Sequence, residues 1–225
     1  MSAAIDARDI ARAYLVPDRP FDRWHANYVR WKLARDPLYP DVLPLLRDDP
    51  HPLLDLGCGI GLLAHVLRGV GATQPYTGVD FDAAKIARAR DAAARRQLHN
   101  VVFDTADLSL GMPMHRGSVT ILDMLQYLPE RMQTDVINGA ISSLVPGARL
   151  VIRTGLEDAS ARSRITDIVD RLGHRIGWMR STPQHYPRRE ILSEMLESAG
   201  LQVEWQPHLG GNLFNNWLIS ARRPA

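Results

Sequence analysis

A shortage of cysteine and of long apolar segments limits what this chain can be. Cys58 is the only cysteine in 225 residues, so an internal disulfide is excluded and a reducing compartment is favoured. No apolar run approaches the roughly 20 residues that span a bilayer. Charged residues near the start, among them Asp6 and Arg12, interrupt the apolar stretch that a signal peptide needs. We therefore expect a soluble, cytoplasmic protein without a membrane span.

The sequence also lacks a large excess of charge of either sign. Its 27 basic and 25 acidic residues give a formal net charge of +2, and every basic residue except Lys32 and Lys85 is arginine. The arginines are spread along the chain among almost as many acids. Composition therefore shows no basic patch for nucleic acid, and we expect no nucleic-acid partner. The length suits one large domain with a full core.

Strand and helix patterns alternate through the middle of the chain. Strands are predicted at 52–55, 76–80, 101–105, 119–124 and 149–154, with helices through about 68, over 82–97 and over 129–144. This alternation indicates a parallel sheet with right-handed crossovers. After a helix that ends at Gly200, two strands (201–206 and 216–221) follow one another through a turn at 210–212, which indicates an antiparallel hairpin. We predict an α/β fold: a Rossmann-like, doubly wound, mainly parallel seven-stranded sheet that ends in an antiparallel hairpin within a three-layer αβα arrangement.

Two regions lie outside this alternating core. Residues 1–47 are expected to form a helical lid or extension, in which Trp24, Tyr28 and Trp31 share one helical face. That spacing is more typical of core packing than of a substrate cage. Residues 155–187 form an insertion too long for a plain connection, and we expect it to shape a substrate pocket. The main domain is therefore expected over residues 48–225.

The most informative segment is an apolar strand that ends in an acid and then in glycines on alternate positions. Glycine permits a sharp turn and lets a ligand approach the backbone, and the helix that follows offers unpaired N–H groups. The segment therefore predicts a nucleoside-cofactor site. A dinucleotide fingerprint needs its third glycine at position 62, where the chain has Leu62. The carboxylate of Asp55 would also repel a pyrophosphate, whereas it can pair with a cationic ligand.

Five motifs occur in the order found in class I S-adenosylmethionine-dependent methyltransferases, and residues 50–222 resemble that family. The motifs are Leu54-Asp55-Leu56-Gly57-Cys58-Gly59-Ile60-Gly61, Gly78-Val79-Asp80-Phe81-Asp82, Thr105-Ala106-Asp107-Leu108, Ile121-Leu122-Asp123-Met124-Leu125-Gln126-Tyr127-Leu128-Pro129 and Leu144-Val145-Pro146-Gly147-Ala148-Arg149-Leu150. The antiparallel ending of the sheet is also typical of the family.

The resemblance implies S-adenosylmethionine as the cofactor. Asp80 is then expected to chelate the ribose hydroxyls, Phe81 to pack on the adenine, and Asp107 rather than Asp104 to accept from the adenine amino group. Cys58 is expected to be packed in the turn, since no neighbouring base activates the thiol. The full expected cofactor-binding set is Asp55, Gly57, Cys58, Gly59, Gly61, Asp80, Phe81, Asp107, Leu108, Asp123 and Met124.

The catalytic residues are less clearly marked than the cofactor site. Methyl transfer is an in-line displacement, so the protein chiefly aligns the reactants and excludes water. Some relatives carry a histidine after the fourth strand, where this chain has Gln126 and Tyr127. The candidate catalytic residues are therefore His185, Tyr127 and Gln126, with Tyr186 as an alternative proton acceptor. We expect no metal site, since Asp123 alone is weak evidence for one.

The expected substrate is a small organic molecule, aromatic or acyl-like, methylated on oxygen. Residues 28–33 and 36–39 show a fainter similarity to methyltransferases of polyketide-type or aryl-polyene pigment pathways. That similarity implies an aromatic acceptor that is either bound to a carrier protein or lipid-like. An NAD(P)-binding oxidoreductase and a non-catalytic S-adenosylmethionine-binding protein are the alternative interpretations.

Overall fold

A seven-stranded sheet forms the centre of the computed structural model, which describes residues 5–15, 22–157, 185–208 and 216–225. The strands are Leu53–Leu56 (β1), Tyr76–Asp80 (β2), Val101–Thr105 (β3), Ser118–Leu122 (β4), Arg149–Gly155 (β5), Gln202–Pro207 (β6) and Asn216–Arg222 (β7). They lie in the order β3-β2-β1-β4-β5-β7-β6. Strands β1 to β5 pair in parallel, and β7 is antiparallel to both β5 and β6. The predicted fold is confirmed.

Seven α-helices accompany the sheet in the described part of the chain. They are Ala7–Arg12 (α1), Asp22–Arg35 (α2), Leu38–Leu46 (α3), Leu62–Gly69 (α4), Ala83–Arg95 (α5), Glu130–Ser143 (α6) and Arg189–Ser198 (α7). Short 3₁₀ helices occur at Leu108–Leu110 and Leu125–Tyr127. The Asp82 side chain accepts from the first N–H groups of α5, as a helix cap does. None of the described helices combines the length and apolar character that crossing a bilayer requires.

The sheet is buried on both faces by helices. Side chains of α1 to α5 pack with Leu53 and Phe103 on one face, while α6 and α7 pack with Leu54 and Ile121 on the other. This gives the three layers that the alternation predicts. Because both faces are covered, the central strands β1 and β4 are buried at almost every position.

The N-terminal helices are attached to the layer that holds α4 and α5. The Tyr14 hydroxyl donates to the Ile60 carbonyl at 2.8 Å, and Arg96 pairs with Asp9 at 2.9 Å. The core-facing side of α2 consists of the small and aliphatic residues Ala26, Val29 and Leu33.

The aromatic residues of α2 do not all occupy the core. Trp24 is 44% exposed and Trp31 is 52% exposed, so the expectation that their spacing reflects core packing is wrong for both. Tyr28 is partly buried and stacks on Trp24. The predicted hairpin turn at 210–212, and residues 158–184 of the predicted insertion, lie outside the described residues.

Candidate active site

The glycine turn follows β1 and is held by the neighbouring strand. The N–H groups of Gly57 and Cys58 both donate to the Val79 carbonyl, at 2.8 and 3.0 Å. Gly57, Gly59 and Gly61 have φ values of +71°, +57° and +82°, a region that favours glycine. The alternating glycines therefore let the chain turn from β1 into α4 over the end of β2.

The three glycines serve different purposes. A Cβ at Gly57 would lie 2.7 Å from the Met124 sulfur, and a Cβ at Gly61 would lie 2.5 Å from the Phe103 ring. Packing inside the protein therefore requires glycine at both positions. A Cβ at Gly59 would meet nothing within 4 Å. Gly59 is thus the position in the turn where the backbone faces open space and a ligand can approach it.

Asp80 connects the glycine turn to the end of β2. Its carboxylate accepts from the N–H of Gly59 at 3.0 Å and from the N–H of Asp82 at 2.9 Å, and the residue is only 7% exposed. Phe81, the next residue, is 68% exposed. A fixed carboxylate beside a free aromatic face fits the ribose and adenine of a nucleoside cofactor.

Asp104 and Asp107 lie close together after β3 but have different partners. Asp104 pairs with Arg90 at 2.8 Å, whereas Asp107 accepts from the Ser109 N–H at 2.9 Å and begins the 3₁₀ helix that contains Leu108. The hydrogen bond from Ser109 lowers the pKa of Asp107, which is therefore ionised at neutral pH. Both aspartates are exposed, and among the described residues only Asp104 has an arginine partner.

Asp55 lies inside the sheet and not at the edge that Gly59 faces. Its carboxylate accepts from the hydroxyls of Tyr76 and Thr120, and the residue is 3% exposed. Burial raises the pKa of Asp55 to about 6, against the opposing effect of these two hydrogen bonds. The Asp55 carboxylate is therefore turned away from the edge that Gly59 faces and does not reach a ligand there. Its role is to fix β1 against β2 and β4.

Cys58 is a packed residue, as the sequence suggests. Its sulfur contacts the position that a Cβ would occupy at Gly78, and burial raises the pKa of the thiol well above its usual range. A thiol that stays protonated is a poor nucleophile.

Four charged residues form a network at the carboxyl ends of β4 and β5. Arg153 contacts Asp36 at 2.9 Å and Asp123 at 3.1 Å, while Lys32 pairs with Asp36 and lies 3.7 Å from Asp123. Burial by itself lowers the pKa of Lys32, but the two carboxylates outweigh it and the net shift is upward. The network attaches α2 to the end of the sheet. It also holds Asp123, whose φ is +57° and whose neighbour Met124 packs against Gly57.

The three candidate catalytic residues are brought together although Tyr127 and His185 are far apart in the sequence. The His185 N–H donates to the Gln126 carbonyl at 3.3 Å. The Gln126 side chain accepts from Thr154 at 3.3 Å and is 9% exposed, so it faces the sheet. The Tyr186 ring lies against Gly155, where a Cβ would come within 2.7 Å of it. We call Gln126, Tyr127, His185 and Tyr186 the acceptor wall.

A buried glutamine supports the acceptor wall from behind. The Gln133 side-chain amide donates to the carbonyls of Leu125, Leu128 and His185 at 2.8 to 3.0 Å. It therefore joins the turn after β4 to the segment before α7. Sequence reasoning missed Gln133, because an isolated glutamine inside a helix carries no pattern.

The described residues contain no group of three or more histidine, cysteine, aspartate or glutamate side chains arranged to hold a metal ion.

The fold and the geometry together are those of an α/β enzyme whose candidate nucleoside site, the cofactor edge, lies at the carboxyl ends of the parallel strands. The methyltransferase-domain family matches residues 31–206, and the chain belongs to it. The protein is a class I methyltransferase that uses S-adenosylmethionine. The oxidoreductase alternative is not supported.

Two curated relatives illustrate the enzymes to which the chain is similar. A ubiquinone biosynthesis O-methyltransferase of Xanthomonas euvesicatoria pv. vesicatoria is 26% identical over 170 residues, covering 76% of this chain and 69% of the relative. A trans-aconitate 2-methyltransferase of Sinorhizobium medicae is 28% identical over 130 residues, covering 57% of this chain and 48% of the relative. The chain therefore spans about half of the second relative.

A similar fold occurs in the crystal structure of magnesium protoporphyrin IX methyltransferase from Synechocystis PCC 6803 with bound SAH. The TM-score is 0.64 at 16% identity, and the match covers 94% of this chain and 91% of that one.

The raised pKa of Asp55 makes stability depend on pH. The pKa is about 6 in the folded protein and roughly 4 in an unfolded chain, so the folded state binds the proton more tightly. The stabilisation that comes from proton binding at Asp55 is therefore fully present below about pH 4 and is lost as the pH rises through 6. Compared with Asp55→Asn, the wild-type free energy of unfolding, measured by urea denaturation, should fall by up to about 3 kcal/mol between pH 4 and 7. Parallel pH profiles for the two proteins would contradict this assignment.

Gln133→Glu should disturb the acceptor wall while leaving cofactor binding intact, because an ionised glutamate cannot donate to the three carbonyls. Gln74→Glu is the matched control, since Gln74 is also buried and donates to a carbonyl, that of Leu46, at 2.9 Å. Both variants should lose about 1–3 kcal/mol of stability. Steady-state kinetics should show a raised KM for the acceptor in Gln133→Glu alone. A similar KM in both variants would assign Gln133 a purely structural role.

Proposed function

We propose that this methyltransferase transfers the methyl group to an oxygen atom of a small aromatic or acyl-like acceptor. The observation that carries the proposal is the position of the acceptor wall. The Met124 side chain packs against Gly57 in the glycine turn, and the 3₁₀ helix with Gln126 and Tyr127 begins immediately after Met124. The acceptor wall therefore adjoins the cofactor edge.

The residues that contact the cofactor are part of the same proposal. Asp80 holds the ribose hydroxyls, Phe81 packs on the adenine, and Asp107 with Leu108 binds the adenine edge. Gly57, Gly59 and Asp123 line the methionine end. When bound, S-adenosylmethionine supplies a methyl group already activated by the positive charge on sulfur.

His185 is the best proton acceptor in the acceptor wall. Burial raises the pKa of Tyr127, with a further contribution from the charge of Asp123, and burial also raises the pKa of Tyr186. Both phenols therefore stay protonated at neutral pH and can orient an acceptor oxygen but cannot remove its proton. The imidazole of His185 is exposed and takes up the proton of a phenolic acceptor.

The name of the ubiquinone biosynthesis O-methyltransferase supports oxygen as the acceptor atom. The name of the trans-aconitate 2-methyltransferase gives no acceptor atom, but trans-aconitate is a carboxylic acid, which supports an acyl-like acceptor. An ionised carboxylate has no proton to remove, so a requirement for His185 distinguishes a phenolic acceptor from a carboxylate. Because His185 is exposed, an acyl-like acceptor that remains attached to a carrier protein also has access to the acceptor wall.

Gly59→Ala tests the cofactor site against a matched glycine. Gly71 follows α4 and has a φ of +86°, and a Cβ at Gly71, like one at Gly59, would meet nothing within 4 Å. Both alanine variants should lose about 1–2 kcal/mol of stability from the left-handed backbone. Only Gly59→Ala should weaken binding of S-adenosylmethionine, by tenfold or more in isothermal titration calorimetry. Equal affinities in the two variants would overturn the proposed cofactor edge.

Transfer of labelled methyl to phenols, carboxylic acids and N-acetylcysteamine thioesters tests the acceptor. We expect phenols to be methylated, and His185→Gln to lower kcat for them by about 10²-fold or more near pH 7. The loss should shrink above pH 9, where the phenol ionises without a base. His99→Gln, at an exposed histidine between α5 and β3, is the control and should match wild type. Transfer to carboxylic acids alone, unaffected by His185→Gln, would overturn the phenolic acceptor.

A further inference from the structure

A groove of about 410 Å³ lies between α1 and α2, on a part of the protein that the active site does not use. Small and aliphatic residues form much of its surface, including Ala11, Leu15 and Ala26. Four arginines line it: Arg8, Arg12, Arg23 and Arg30. The sequence gives no hint of this clustering, because the four residues are spread over 23 positions among acids.

The positive charge of the groove is not neutralised by the described residues. Of the nearby acids whose side chains the structure describes, Asp9 pairs with Arg96 and Asp6 accepts from the first N–H groups of α1. No carboxylate of the described residues forms an ion pair with any of the four guanidinium groups. The active-site network differs in this respect, because there each cation has a carboxylate partner. Four like charges on two helices repel one another, and a bound anion would relieve that repulsion.

The residue types around the groove are those that dominate protein interfaces. A guanidinium group binds a carboxylate through two parallel hydrogen bonds, which fixes orientation as well as charge. Trp24 and Trp31 are seven residues apart on α2 and form an exposed ridge about a quarter-turn around the helix from Arg23 and Arg30. Exposed tryptophan next to arginine is a combination enriched among the residues that contribute most binding energy at interfaces.

We propose that this groove binds an acidic helix of a protein partner. The concave shape favours a helix over a flat bilayer, because the side-chain ridge of a helix enters the groove between two others. The outer surface of α2 also lacks the continuous apolar face of a membrane-bound helix, since Asn27 and Arg30 occupy it. The partner contributes carboxylates to the arginines and apolar side chains to the two tryptophans.

The location connects the groove with the active site. Lys32, on the other side of α2, belongs to the charged network, so a partner in the groove lies about one helix diameter, ~10 Å, from that network. The inference goes beyond the proposed function and does not rest on it, since binding is measured without donor or acceptor.

The test uses the full-length protein and a fluorescent alanine-based helical peptide with glutamates at i, i+4, i+7 and i+11, beside the same peptide with glutamines. We expect anisotropy at 50 mM salt to show at least tenfold tighter binding of the glutamate peptide. Arg23→Gln with Arg30→Gln should weaken that binding tenfold or more. Arg116→Gln with Arg131→Gln, which removes the same charge from exposed arginines elsewhere, should change it less than twofold.

Several outcomes would overturn the proposal. Equal binding of the two peptides, or an equal loss in the two double variants, would show that the groove does not recognise acidic helices. Phosphatidylglycerol vesicles that bind through Arg23 and Arg30 while the peptide does not would assign the groove to a membrane surface. If inorganic pyrophosphate binds through Arg23 and Arg30 and the peptide does not bind, the groove is a site for a free phosphate ligand.

Discussion

Strands β1 and β4 pair in parallel at the middle of the sheet, and helices cover both faces of that pair. Under this constraint a polar group can be exposed only where a strand ends. The glycine turn, Asp80, Asp123 and the acceptor wall all lie at the carboxyl ends of parallel strands, for that reason. Asp55 is an acid buried inside the sheet, and it is tolerated because two hydroxyls satisfy its carboxylate. The arrangement of the site therefore follows from the burial of the sheet.

Helix α2 has three sides with separate tasks. Its aliphatic side completes the core, its Lys32 side joins the charged network, and its Arg23 side forms a wall of the basic groove. The segment that the sequence predicts to be an N-terminal extension is thus attached to the active site by ion pairs. Movement of α2 would require separating Lys32 and Asp36 from Asp123 and Arg153, most of which are shielded from water. Breaking pairs of this kind is unfavourable when charges are left buried.

Local patterns predicted most of the fold and much of the cofactor site. All seven strands lie within two residues of their predicted bounds, since most are short apolar runs between turn residues and β6 alternates apolar with polar residues. The glycine turn could be recognised because its spacing is local. The charged network could not, because Asp36 and Arg153 are 117 residues apart and nothing local links them. The exposed tryptophans were misjudged for a related reason: helical spacing shows which residues share a face but not what covers that face.

The separation between Asp36 and Arg153 also has a consequence for biosynthesis. During translation α2 is complete long before β5 exists, so Lys32 and Asp36 can pair only with each other at first. The ion pairs of Arg153 can form only after the ribosome has released residue 153 and β5 has joined the sheet, whereas α1 can dock earlier on Ile60 and Arg96. Contacts between distant segments form late and slow folding. The charged network that fixes α2 to the sheet is therefore completed late, although α2 itself is made early.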